Sequence, residues 1–188
     1  ESDLHDEDKA IVAQLYYEWG IVDKAIAIAN DLHELYPDET ELTCFYAELL
    51  IETDQEEKAL SVLETIPETD EAYPQCLLLM ADLYQMQGLF EVSEQKLLKA
   101  QNILPDEPVI DFALGELYFT QGAYGKAVRQ FKKAAEEEAV IGGVNVYQRL
   151  AESLSSSGAF EEALEWYEKA VKELSLIHIS EPTRQAEI

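Results

Sequence analysis

Positive charge is scarce in this chain. Thirteen Lys and Arg stand against 39 Asp and Glu, a formal net charge of −26 over 188 residues. Such an excess repels nucleic-acid phosphates and anionic lipid, so neither is an expected partner. Cysteine is nearly absent. Cys44 and Cys76 form no metal-binding or redox spacing, and so small a number suits a reducing compartment. His5 and His33 have no partner at a catalytic or metal-binding spacing. There is no Gly-rich phosphate loop, no His-Glu-x-x-His, no Cys-x-x-Cys and no Gly-x-Ser-x-Gly. These absences leave no candidate catalytic, cofactor-binding or metal-binding residue, and the expected function is non-enzymatic with no cofactor. Long apolar runs are missing as well. The longest, Cys76 to Ala81, falls far short of the ~20 residues that cross a bilayer.

What the chain does have is a period. Gly20, Asp54, Gly88 and Gly122 follow one another at 34 residues, and Gly158 comes 36 after the last. Ahead of each turn stands a small residue: Ala13, Ala47, Ala81, Gly115 and Ala151. Three residues on comes a bulky one: Tyr16, Leu50, Tyr84, Tyr118 and Leu154. Beyond each turn stand Ala25, Ala59, Ser93, Ala127 and Ala163, then Leu32, Ile66, Ala100, Ala134 and Ala170. Asp54 replaces glycine where φ > 0 is often required, and Asp tolerates that better than most residues.

A 34-residue period with small residues in these columns resembles the tetratricopeptide repeat, a helix–turn–helix unit that stacks on its neighbours. Segments such as Gly122–Ala127 and Gly158–Ala163 look like the family turn. The resemblance implies an all-α right-handed solenoid of five repeats, near 6–39, 40–73, 74–107, 108–143 and 144–173. First helices are expected over 7–19, 40–52, 73–87, 108–121 and 144–157. Second helices are expected over 22–35, 56–66, 90–103, 124–137 and 160–173. Pro67 shortens the second of the latter and leaves a loose loop over Glu68 to Ala72. Gly142-Gly143 marks the two-residue insertion, expected to be a flexible gap.

In this family the first helices line a concave groove, which implies protein binding. The position after each small residue gives Gln14, Glu48, Asp82, Glu116 and Glu152, a carboxylate ladder with one amide. Along the same stripe come Tyr17, Ile51, Met86 and Phe119, with Leu78 and Phe112 one turn earlier. Some tetratricopeptide proteins clamp a terminal carboxylate with Lys, Arg and Asn. Here the matching first-repeat positions are Ala10 and Gln14, so the opposite ligand is expected: a basic or amphipathic protein segment. A structural spacer, or a regulatory domain of an enzyme or sensor lying outside these residues, are the alternatives. Glu34–Glu39, Ala81–Ala100 and Leu104–Leu114 look like long tetratricopeptide proteins of low-GC Gram-positive bacteria. That implies a cytoplasmic protein with further repeats.

Both ends stand apart. The chain opens on Glu1 and reads as starting within a longer reading frame. Leu174 to Arg184 matches no repeat; residues 174–188 resemble a translated sequencing adapter, and 176–188 are expected to pack poorly. The helix Phe160 to Glu173 carries Leu164, Trp166, Tyr167 and Val171 with no polar capping helix after it. Part of that set is expected to be exposed and to favour self-association.

Overall fold

The computed structural model describes residues 5–180, with the backbone alone for 174–180. The chain divides into two compact units, Glu1–Ala100 and Gln101–Ile188. The first holds α1 (Asp6–Glu18), α2 (Val22–Leu35), α3 (Thr40–Glu52), α4 (Glu56–Leu63), α5 (Tyr73–Met86) and most of α6 (Phe90–Ile103). There α1 packs on α2, α2 on α3, α3 on α4, and both α3 and α4 on α5. The second unit holds α7 (Pro108–Thr120), α8 (Tyr124–Glu137), α9 (Val146–Ser156) and α10 (Phe160–Ser180). There α7 packs on α8, α8 on α9 and α9 on α10. The fold is all-α and built of tetratricopeptide-type helix pairs.

The bulky column before each turn has a backbone role. The Ile21 amide donates to the Tyr16 carbonyl and the Gly20 amide to Tyr17, both at 2.8 Å. The same two bonds recur at Gly88, Gly122, Gly158 and Asp54. This is the Schellman pattern, in which the residue past the helix end adopts positive φ and saturates the last carbonyls. Gly20 sits at φ 72° and Asp54 at φ 56°. The turn therefore demands the left-handed residue at each period, which is why the glycine column exists.

The small columns form the cores. Ala13, Ala47 and Ala81 in the first unit and Ala151 in the second have no exposed surface, and neither do Ala25, Ala59 and Ala127. On α8 the spacing Ala127, Phe131, Ala134 puts one buried stripe against α7. Gly115 on α7 completes the contact. A Cβ there would lie 2.6 Å from the Phe131 ring, so only glycine lets the two helices approach this closely.

Two loops differ from expectation. The Gly142-Gly143 insertion is an ordered β-hairpin: β1 (Val140–Ile141) pairs antiparallel with β2 (Val144–Asn145). Both glycines have positive φ, 55° and 78°, as the tightest two-residue hairpin turn requires. Ile141 anchors it by packing with Ala134 and Val146, and Phe112 lies against that cluster. Asn145 ends the hairpin by capping α9, accepting from the Gln148 amide at 2.9 Å. The fifth repeat's first helix accordingly begins at Val146 rather than 144. The loop after the short α4 is also fastened. Asp70 accepts from the Thr40 hydroxyl at 2.6 Å and the Ala72 amide at 2.9 Å, and Glu68 pairs with Lys99 at 2.6 Å.

The backbone of α10 runs through Ser180, past the expected end at Glu173. Side chains of 174–180 and all of 181–188, where the adapter-like tail falls, lie outside the described residues. Within α10, Phe160, Leu164 and Tyr167 form one exposed stripe, at 69%, 61% and 37% of their full surface.

Candidate functional site

In the first unit, α1, α3 and α5 carry the expected groove residues. Gln14 and Met86 are exposed; Tyr17, Ile51 and Leu78 are half-buried. The Tyr17 hydroxyl donates to Glu52 at 2.6 Å, a bond that holds the phenol above its usual range. The Tyr17 ring stands edge-on to Phe45, 6.1 Å between centroids. Sequence reasoning passed over a cleft of about 630 Å³ between α1 and α3. Ala10, Ile11, Leu32, Leu42 and Phe45 give it an apolar lining, and Asp6, Glu39 and Glu41 bring carboxylates. Asp6 is occupied by Lys9 at 2.7 Å and by the Tyr36 hydroxyl at 2.5 Å. Leu42 and Phe45, one turn apart on α3, were the available signal.

Glu48 and Asp82, like Asp111 in the second unit, are carboxyls pushed above their ordinary range. Burial pushes the Glu48 carboxyl up, and a bond from Gln75 only partly offsets it. Asp82 keeps an open surface, yet the surrounding protein pushes its carboxyl up as well. A carboxyl whose folded pKa lies above its unfolded value adds stability while protonated, and that contribution is lost as pH rises through the folded pKa. Glu48→Gln should therefore raise the melting temperature at pH 7. The gain should shrink as the pH falls through the carboxylate range, about 4. Parallel melts at pH 7 and at acid pH check this; equal gains at both would contradict it.

In the second unit the ladder is not free. Glu116 on α7 and Glu152 on α9 are both bound by Arg149, which was not among the expected site residues. Its Nε donates to Glu116 Oε1 at 2.6 Å, its Nη2 bonds Glu116 Oε2, and its Nη1 donates to Glu152 at 2.8 Å. The guanidinium lies 4.7 Å from the Phe119 ring centroid. The two carboxylates hold the Arg149 guanidinium above its already high range. Phe112 tilts against Phe131 at 5.5 Å, so this apolar residue is partly spent on the core. The signal for Arg149 was its column: Ile11, Phe45, Leu79 and Ala113 precede it, and it alone is charged.

The other cations are largely spoken for. Lys24 lies over Tyr16, Lys58 over Tyr46, Lys96 over Tyr84 and Lys126 over Tyr118, each within 5.9 Å of the ring centroid. Among the described residues no group of three or more side chains could hold a metal, and no helix is long and apolar enough to cross a membrane.

Residues 85–139 match a family described as YpiA-like, tetratricopeptide repeats. Tetratricopeptide families also match over 20–83 and 144–173. The chain belongs to the tetratricopeptide repeat family. It is 76% identical over 173 residues to the TPR repeat-containing protein YpiA of Bacillus subtilis strain 168. That match covers 92% of this chain but 41% of the relative, so the chain spans less than half of its length. Among solved structures, a thermophilic TPR protein from Thermus thermophilus superposes with a TM-score of 0.71 at 20% identity, over 89% of this chain and 91% of that one. BtubC from P. vanneervenii gives 0.78 at 15% identity, over 97% and 84%. At these identities the tetratricopeptide likeness is one of fold.

Proposed function

We propose that this tetratricopeptide chain is a non-enzymatic, cytoplasmic interaction scaffold that takes up a basic or amphipathic protein segment on its first-helix faces. The observation that carries the reading is in the first unit. Glu48 is a half-buried carboxylate and Asp82 an open one, neither paired with a cation among the described residues, and an acidic cleft with an apolar lining opens between α1 and α3. A desolvated carboxylate gains most from an incoming ammonium or guanidinium. An apolar lining suits the other face of an amphipathic helix.

The test uses two synthetic amphipathic peptides, one Lys-rich and one Glu-rich. The Lys-rich peptide should bind, more weakly as salt rises. Replacing Glu48 and Asp82 together with Lys should weaken it roughly tenfold or more, ~1.4 kcal/mol, while helicity by circular dichroism stays unchanged. Equal binding of both peptides, or an affinity untouched by the double reversal, would overturn the reading.

A second reading rests on α10. The stripe Phe160, Leu164, Tyr167 is a set of large apolar side chains on one helix face. If self-assembly is the role, sedimentation should show concentration-dependent association that Leu164→Glu abolishes. A monomer at all concentrations removes that reading.

A further inference from the structure

The two cysteines of this chain, 32 positions apart, meet in the first unit. Cys44 on α3 and Cys76 on α5 are both buried, with sulfurs 2.8 Å apart. The repeat register produces the contact. In the second unit the equivalent columns hold Phe112 and Val146, which meet as part of one apolar cluster. Where the later repeats place an apolar pair across the repeat junction, the earlier ones place two thiols.

We propose that Cys44 and Cys76 form a reversible intramolecular disulfide, made by a small hydroperoxide, that ties α3 to α5. The two thiols share one hydrogen bond, in which one sulfur keeps its proton and favours the other as thiolate. Either sulfur of the pair can attack with the same product, Cys76 for example. It attacks one peroxide oxygen, the O–O bond breaks, and the departing hydroxide takes up the thiol proton as water. The Cys44 sulfur then attacks the sulfenic sulfur. The S–O bond breaks, a second water leaves with the Cys44 proton, and the S–S bond forms. Two thiols give up two electrons and the peroxide is reduced to two waters. Burial selects a small oxidant and disfavours a bulky disulfide reagent.

The bond would close a loop across the junction of the second and third repeats, and such closure stabilises chiefly by restricting the unfolded chain. It would also fix α3 against α5, and with them the Glu48 and Asp82 carboxylates that these helices carry. The disulfide itself does not depend on the scaffold reading.

The experiment treats the folded protein with hydrogen peroxide, removes the peroxide, then denatures and alkylates. Intact mass should show the loss of two hydrogens and no alkylation. Peptide mapping should give a Cys44–Cys76 cross-link, and the melting temperature should rise by several degrees and return after dithiothreitol. In Cys44→Ala, compared with and without peroxide, the cross-link and the rise should both be absent. Full alkylation of both thiols after peroxide overturns the proposal. So do oxygen adducts without a cross-link, or a disulfide that joins two molecules.

Discussion

Replacing Phe131 with alanine should cost about 3–5 kcal/mol, a large fraction of the roughly 5–15 kcal/mol that holds an ordinary domain folded. Phe131 has no exposed surface. Its ring fills the space above Gly115 and stands 5.5 Å from Phe112, which in turn backs the hairpin cluster of Ala134, Ile141 and Val146. Removing the ring opens a cavity at the meeting of α7, α8 and the hairpin, and α7 has a glycine there with nothing to refill it. The converse change is Gly115→Val. Helix propensity favours leaving glycine by several tenths of a kcal/mol. The new Cβ, however, would sit 2.6 Å from a fully buried ring, and overpacking of this kind costs about 1–3 kcal/mol. Combining Gly115→Val with Phe131→Leu should recover part of the loss, because the smaller side chain makes room. Chemical denaturation of the wild type, the single variants Phe131→Ala, Gly115→Val and Phe131→Leu, and the double variant checks this. Additive losses in the double variant would show that the two positions do not share one contact.

How much of this was legible in the sequence follows from what each feature demands of a residue. The turns were legible because positive φ restricts the choice to glycine or, at Asp54, aspartate. The packed columns were legible because close helix contact excludes all but small side chains, as at Ala25 and Gly115. The hairpin was read as a gap because paired glycines usually mean freedom. Here Val140, Ile141 and Val144 around them supply extended, β-branched residues, and the buried Ile141 side chain fixes the register. The acidic ladder was read from columns alone. A column shows which residues share a face; it does not show that Arg149, three residues before Glu152, reaches back one repeat to Glu116. Long charged side chains escape a periodicity argument because their reach exceeds the spacing that the argument uses.

Arg149→Ala should therefore have two effects of opposite sign. It leaves the half-buried Glu116 and Glu152 without their shared cation, with side chains exposed to only 29% and 27%. Loss of charge-assisted hydrogen bonds in such a setting costs roughly 2 kcal/mol, between the values for surface and fully buried pairs. Arg149→Lys should recover only part of this. An ammonium is a point charge that cannot hold Glu116 with two parallel bonds, reach Glu152 and stack on Phe119 together. The same substitution to alanine exposes two carboxylates beside an aromatic ring, an arrangement that in the wild-type protein holds a guanidinium. On the scaffold reading, a basic peptide should then bind Arg149→Ala more tightly than wild type, and free guanidinium ion at low concentration should restore part of the lost stability. Urea melts and peptide titrations on the three proteins separate the outcomes. A stability loss with unchanged peptide affinity would confine Arg149 to holding α9 against α7. Tighter binding would show that the intramolecular arginine competes with the partner for the second unit's face.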